Sequence, residues 1–263
     1  MGSMMPPLEP GEVTVVIPTY NERANLAGLV AAVTAHGYRV LVVDDNSPDG
    51  TGMVADAIAA GNAAVTVLHR PGKGGLGPAY AAGMTRALQS GPTVVCQMDA
   101  DLSHDPGALP ALVGAISGGA DMALGSRLVP GGSTVDWPLA RRLLSSMGNR
   151  YARFALGIPQ RDITTGFRAF RADSLRRLDP GSCLANGYIF QVEMAWRAQR
   201  AGMQIVEVPI VFTDRSAGSS KMGLRIVAEA MWLVTRWGAS RAIGRIPRGT
   251  EPAAPVGRGE ETG

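Results

Sequence analysis

Through the first half of the chain, short apolar runs rich in β-branched residues alternate with helical stretches. No other feature narrows the fold as much. The runs are Val13–Ile17, Val40–Val43, Val65–Leu68, Val94–Met98 and Met122–Leu124. They are too short for helices, and their apolar character predicts strands buried on both faces of a sheet. Helical patterns fall between them, near Asn25–Ala35, Thr51–Ala60, Pro78–Gln89 and Gly107–Ile116. This βαβα order predicts an α/β fold: a Rossmann-like, mostly parallel sheet flanked by helices. In such sheets ligands bind beyond the carboxyl ends of the strands.

The unusual polar residues fall at those strand ends. Pro18-Thr19-Tyr20-Asn21-Glu22 follows the first run and Asp44-Asp45-Asn46-Ser47-Pro48-Asp49-Gly50-Thr51 the second. Lys73 follows the third, Asp99-Ala100-Asp101 the fourth and Gly125-Ser126-Arg127 the fifth. Two carboxylates one residue apart at the end of a buried strand make a hard-oxygen site. Such a site suits Mg²⁺ or Mn²⁺ bridging to a diphosphate. A short D-x-D also fits a solvated turn that caps the next helix. The coincidence of polar clusters at five strand ends favours the metal reading.

Gly72-Lys73-Gly74-Gly75-Leu76-Gly77 matches G-x-G-x-x-G. It lies in the third βα turn rather than the first, and a dinucleotide reading leaves the second carboxylate of the D-x-D pair unexplained. It is not a phosphate-binding Walker loop, because Gly74 stands where Ser or Thr would hold Mg²⁺. The segment reads as a loop whose backbone N–H groups approach a ligand near a helix N-terminus. Asp45 suits a nucleoside ribose or base, or a helix-entry turn with Ser47, Asp49 and Thr51. Tyr20 and Glu22 suit stacking and hydrogen bonding to a base. Alternatively, Asn21 caps a helix and Glu22 is a first-turn acid.

The second half is patterned differently. Arg141–Leu156 and Gln191–Arg200 are predicted helices, and Gly166–Phe170 a short strand. Gln204–Phe212 alternates like strands, with Pro209 at a bend or edge. Arg141 and Ser145 share one helix face, where a guanidinium and a hydroxyl can cradle a phosphate monoester. Arg215 and Lys221 flank a Gly/Ser-rich loop that could close over a diphosphate. A last amphipathic helix is expected over Leu224–Ile243. Residues 1–10, with Met1-Gly2-Ser3 read as a tag remnant, and the Pro/Gly-rich tail 247–263 are expected to be disordered. The folded unit is expected over 11–246, with a nucleotide half to about 127 and an acceptor half after it.

Composition sets the remaining bounds. The net charge is only +3, and no aromatic–basic interleaving suggests nucleic acid. Cys96 and Cys183 are the only cysteines and form no C-x-x-C, so a reducing cytosol is expected. No secretory signal pattern is recognised. No apolar stretch reaches the roughly 18–20 residues of a membrane span. His36, His69 and His104 are scattered, which argues against zinc. No G-x-S-x-G nucleophile motif occurs.

Together these motifs resemble the GT-A family 2 glycosyltransferases, and within them the dolichol- and polyprenol-phosphate mannose synthases. The resemblance rests on Pro18–Arg23, Val43–Thr51, Met98–His104, Gly125–Arg127, Arg141–Ser145, Thr165–Arg168 and Arg215–Lys221. It implies a GT-A fold and inverting transfer of mannose from GDP-mannose to a polyprenyl phosphate. It also implies Mg²⁺ or Mn²⁺ as cofactor and a peripheral enzyme on the cytoplasmic side of the membrane. There it would be held by the membrane surface itself or by a membrane-anchoring partner protein. By resemblance, Pro18, Tyr20, Glu22, Val43 and Asp45 contact the guanosine, and Asp99, Ala100 and Asp101 meet the metal and diphosphate. Arg127, Arg141 and Ser145 face the acceptor phosphate, and Arg215 and Lys221 act on the donor from their loop. Asp99, Asp101 and Arg127 are the expected catalytic residues. Ser103 stands where some members carry Gln as a third metal contact, and Thr165 where Ser is common. Competing readings are a UDP-glucose enzyme acting on the same lipid, a non-catalytic sugar-nucleotide-binding subunit, and an NAD-dependent oxidoreductase resting on Gly72–Gly77.

Overall fold

The computed structural model describes residues 8–183, 185, 187–214 and 231–239. Of the segments expected to be disordered, 1–7 and 247–263 lie outside these residues, as do Arg215, Lys221 and the ends of the last predicted helix; Leu8 to Pro10 are described, with Leu8 packed on the core and Pro10 opening a short 3₁₀ turn.

The five apolar runs form strands: β1 (Val13–Thr19), β2 (Arg39–Asp44), β3 (Val65–His69), β4 (Val94–Gln97) and β5 (Met122–Ser126). Four helices connect them: α1 (Arg23–Thr34), α2 (Thr51–Gly61), α3 (Leu76–Gln89) and α4 (Leu109–Ser117). Next come β6 (Ser133–Val135), α5 (Leu139–Leu156), β7 (Arg168–Arg171), α6 (Ala172–Leu178), α7 (Tyr188–Arg200), β8 (Ile205–Pro209) and β9 (Val211–Thr213). Residues 231–239 are helical.

The main sheet has seven strands in the order β3-β2-β1-β4-β7-β5-β8. β7 alone runs antiparallel to its neighbours; the other pairs are parallel. β6 and β9 form a separate two-stranded sheet. The expected strand pattern over Gln204–Phe212 therefore divides at Pro209, and its two parts join different sheets. Pro209 ends β8 at the sheet edge, where a missing N–H costs no ladder bond.

Apolar side chains fill both faces of the sheet. Leu26, Leu29, Val33, Leu109, Leu112 and Ile116 pack on one face with α1 and α4. Tyr80, Met84, Phe170, Leu175, Phe190 and Met194 pack on the other with α3, α6 and α7. A third cluster joins α5, α7 and residues 231–239 through Leu156, Trp196 and Trp237, with the two indoles stacked at 5.2 Å. The last predicted helix is thus partly a packing element of the domain itself.

Candidate functional site: strand ends facing an arginine cluster

Parallel strands place their carboxyl ends on one edge, and the polar clusters meet there. In the turns after β1, β2 and β4 one residue each other than glycine sits in the left-handed region: Asn21 (φ 62°), Asn46 (φ 56°) and Leu102 (φ 62°). Asparagine tolerates this conformation; a leucine there is strained, a condition that clusters at functional sites. Asn21 does not cap α1. Glu22 holds that position, its N–H donating to Thr51 Oγ1 at 3.0 Å and its Oε2 accepting from Asn25 at 2.8 Å.

At the nucleotide end, Pro18 and Val43 sit opposite each other in the β1–β2 register, both buried. Lys73 Nζ lies 3.9 Å from the Tyr20 ring centroid, which brings the third strand end onto the first. The Asp44 carboxylate accepts from Thr19 Oγ1 (3.1 Å) and Ser47 Oγ (2.6 Å), so it serves the turn. Asp45 is buried, and accepts from the Arg70 guanidinium and from the Gly74 N–H at 3.0 Å. Arg70 and the Gly74 backbone therefore belong with Asp45.

At the centre, β4 delivers Asp99, Ala100 and Asp101. Tyr80, fully buried on α3, donates its O–H to Asp99 Oδ1 at 2.6 Å. Burial, reinforced by the Asp99 charge, pushes the Tyr80 phenol well above its ordinary pKa, so it stays a donor. Asp99 Oδ2 lies against Gly166, where an added Cβ would stand only 3.0 Å away. Gly166 thus leaves room on that side of the carboxylate. Asp101 Oδ1 accepts from the Ser103 N–H (3.1 Å) and hydroxyl (2.5 Å), closing the turn around Leu102. Ser103 is consequently engaged with Asp101. Among the described residues no cluster of three His, Cys, Asp or Glu groups exists. Two carboxylates with a sparse protein donor set fit Mg²⁺ or Mn²⁺, which keep water and phosphate oxygens as ligands.

His104 joins this turn to the other half of the site. Its Nδ1 accepts the Asp99 N–H at 3.2 Å, and its ring stacks on Phe167 (4.9 Å) and meets Phe212 edge-on (5.4 Å). Burial lowers its pKa, which keeps the ring neutral and Nδ1 an acceptor. Phe212 in turn lies 5.3 Å below the Arg127 guanidinium.

Arg127, just beyond β5, grips the fully buried Asp162 with Nε and a terminal nitrogen, both at 2.7 Å. Burial works to raise the Asp162 carboxyl, but the Arg127 bonds and charge outweigh it and hold the pKa below the ordinary range. Arg127 also donates to Thr164 Oγ1 at 3.0 Å. Arg141 on α5 pairs with Asp214 at 2.7 Å. Ser145 lies one turn along from Arg141. Asn149 follows one turn later, buried, bonding the Ser145 carbonyl (3.1 Å), Thr164 Oγ1 (3.0 Å) and the Ile163 N–H (3.0 Å).

Residues 14–179 match the family model described as glycosyl transferase family 2. The chain belongs to this family. It is 47% identical over 237 residues to the polyprenol monophosphomannose synthase of Mycolicibacterium smegmatis, covering 89% of this chain and 88% of that one. It is 49% identical over 228 residues to the undecaprenyl-phosphate mannosyltransferase of Micrococcus luteus, covering 86% and 93%. The fold resembles glucosyl-3-phosphoglycerate synthase from Mycobacterium tuberculosis, solved with Mn²⁺, UDP and its product. There the TM-score is 0.61, with 20% identity over 90% of this chain and 81% of that one. The family 2 fold is thus GT-A-like, as the strand order indicates, and the protein is a glycosyltransferase.

Within this family 2 frame, the sequence motifs missed Tyr80, Asp162 and Asn149. Only Asn149 left a local signal, one turn beyond Ser145 on the face already marked by Arg141. His104 closes the Met98–His104 motif without an assigned role there, and in the structure it holds the D-x-D backbone.

Proposed function

We propose that this glycosyltransferase moves mannose from GDP-mannose to a polyprenyl phosphate, with inversion. The observation that carries the reading is the join described above: the carboxylate pair and the arginine pair share one edge of the sheet, linked through His104 and Phe212. One cluster suits a metal-bound diphosphate, the other a phosphate monoester. The names of the two bacterial relatives support mannose and a polyprenyl phosphate as the pair of substrates.

The acceptor is already suited to attack. A phosphate monoester has a second pKa near about 6 and is largely dianionic at neutral pH, so no strong general base is required. Arg127, Arg141 and Ser145 position one of its oxygens against the anomeric carbon. The new oxygen–carbon bond forms as the bond to the diphosphate breaks, and GDP leaves with its electron pair. Pro18, Tyr20, Glu22, Val43 and Asp45 hold the guanosine, while Asp99, Ala100 and Asp101 face the diphosphate. Mg²⁺ or Mn²⁺ held by Asp99 and Asp101 would supply charge neutralisation of the leaving group. Arg215 and Lys221, which lie outside the described residues, add cations from their loop by this reading.

Among the described residues no helix is long and apolar enough to cross a membrane. By this reading the enzyme works at the cytoplasmic surface of the membrane, held by that surface or by an anchoring partner; the lipid acceptors in the two relatives' names support a place at the membrane. The test is transfer of radiolabelled mannose from GDP-mannose to polyprenyl phosphate, with Mg²⁺ or Mn²⁺ and with EDTA. Label should enter the organic phase only with metal and should be lost in Asp101→Ala. Transfer of glucose from UDP-glucose in its place would overturn the donor assignment.

A further inference from the structure

We infer that Trp137 is a positioning residue of the acceptor-phosphate site, the plate that holds Arg127 and Arg141 together. This rests on the assignment of those two arginines to the acceptor. Two guanidinium ions brought to one site repel each other, and each is tethered to a different carboxylate on a different segment, Asp162 and Asp214. Trp137 touches both. The Arg141 guanidinium carbon lies 4.2 Å from its ring centroid and that of Arg127 5.2 Å. An indole face attracts cations more strongly than any other side-chain ring, so it offsets the repulsion while fixing the spacing.

The plate is itself anchored. Its ring meets Phe212 edge-on at 5.3 Å, and Phe212 lies against both Arg127 and His104. Trp137 is thus tied to the same aromatic stack that supports the D-x-D turn. The position is also set locally: Trp137 precedes Pro138, the residue from which α5 starts, so it stands one turn before Arg141. Two N–H donors in this cluster are buried with no acceptor among the described residues, Trp137 Nε1 and Arg141 Nε. Buried donors without partners are uncommon in folded proteins. Arg153 Nε, Arg171 Nε and Trp196 Nε1 share this state elsewhere among the described residues, so the pair does not by itself mark a site; it leaves two donors beside the arginines for an oxyanion.

The experiment measures steady-state kinetics of the full chain with GDP-mannose and a water-soluble ten-carbon isoprenyl phosphate, for Trp137→Leu, Trp137→Phe and Arg141→Ala. Trp137→Leu should raise the acceptor KM about tenfold or more, leaving the donor KM and the saturating kcat within about twofold. Trp137→Phe keeps a weaker π face and should fall between wild type and the Leu variant. A wild-type acceptor KM in Trp137→Leu, or an equal rise in the donor KM, would overturn the inference. If Trp137→Leu fails to fold, the Phe variant decides, and a wild-type acceptor KM there overturns it. Arg141→Ala separates the two levels. An unchanged acceptor KM in that variant removes the acceptor assignment together with the role of Trp137. A raised one, with Trp137→Leu at wild type, removes Trp137 alone.

Discussion

Asp99 comes to the site with one oxygen engaged by Tyr80 and the other set against Gly166, so its carboxylate plane is fixed before any ligand arrives. If Asp99 holds the metal as proposed, a partner of this kind governs metal affinity by about 10–100-fold. Tyr80→Phe deletes only the hydroxyl and preserves the ring that stacks on Phe190 at 6.4 Å. It should weaken Mn²⁺ binding in the presence of GDP by about tenfold or more, read by Mn²⁺ electron paramagnetic resonance. Unchanged affinity would leave Tyr80 a packing residue. The motif residues were legible because their chemistry is local: two carboxylates one residue apart, or a guanidinium and a hydroxyl one turn apart. Their supports were not. Tyr80 is 19 residues from Asp99 and Asp162 is 35 from Arg127. No local pattern names a partner at that range, because tertiary packing selects it. Arg70 shows the same limit: it follows β3 at an unremarkable position, yet folds across to Asp45.

At the scale of elements, the parallel half was readable because buried strands and amphipathic helices each carry their own period. The direction of β7 was not, since an apolar pattern is the same read either way and its pairing is decided by the chain around it. β6 and α6 are 3 and 7 residues long, too short for a period to register. How closely an element packs is also hidden until the fold is known. Gly83 faces the sheet from α3, and a Cβ there would stand 2.5 Å from Val16 Cγ1 and 2.7 Å from Val43 Cγ2. Helix α3 therefore lies closer to β1 and β2 than a larger residue allows, and those strands end in Thr19 and Asp44 and lead into Tyr20 and Asp45. Gly83→Ala must lift the helix or turn both valines, at a cost of about 1–3 kcal/mol. The unfolding midpoint should fall by about 3–10 °C. Gly114→Ala, on α4 with nothing within 4 Å of the new methyl, should hold or slightly raise it. Equal midpoints for the two variants would show that α3 is free to adjust.

The proposed lipid acceptor requires a polar site to face a lipid, and α5 carries both kinds of surface. On one flank Arg141 bonds Asp214 and Asn149 bonds Thr164, which Arg127 also reaches, with Ser145 between them along the helix. Elsewhere on the helix Leu139, Leu143, Met147 and Phe154 are 70%, 56%, 68% and 88% exposed, with Arg142 and Arg150 among them also exposed. Residues 231–239 bury Val234 and Trp237 against the domain but leave Trp232 60% exposed. Large apolar side chains left in water beside basic ones are the composition of a surface-lying helix. The arrangement suits a phosphate held in the site while its prenyl chain stays in the bilayer. Full burial of such a side chain is worth about 1.5–3 kcal/mol. Leu143→Ser with Phe154→Ser should therefore reduce binding to anionic phospholipid vesicles by about tenfold or more in a flotation assay. Neither residue is part of the buried core, so the double variant should fold as wild type and keep its turnover on a short water-soluble acceptor. A wild-type protein that stays out of the lipid fraction would assign this face to an anchoring protein partner. A double variant that floats as well as wild type would move the lipid contact away from α5.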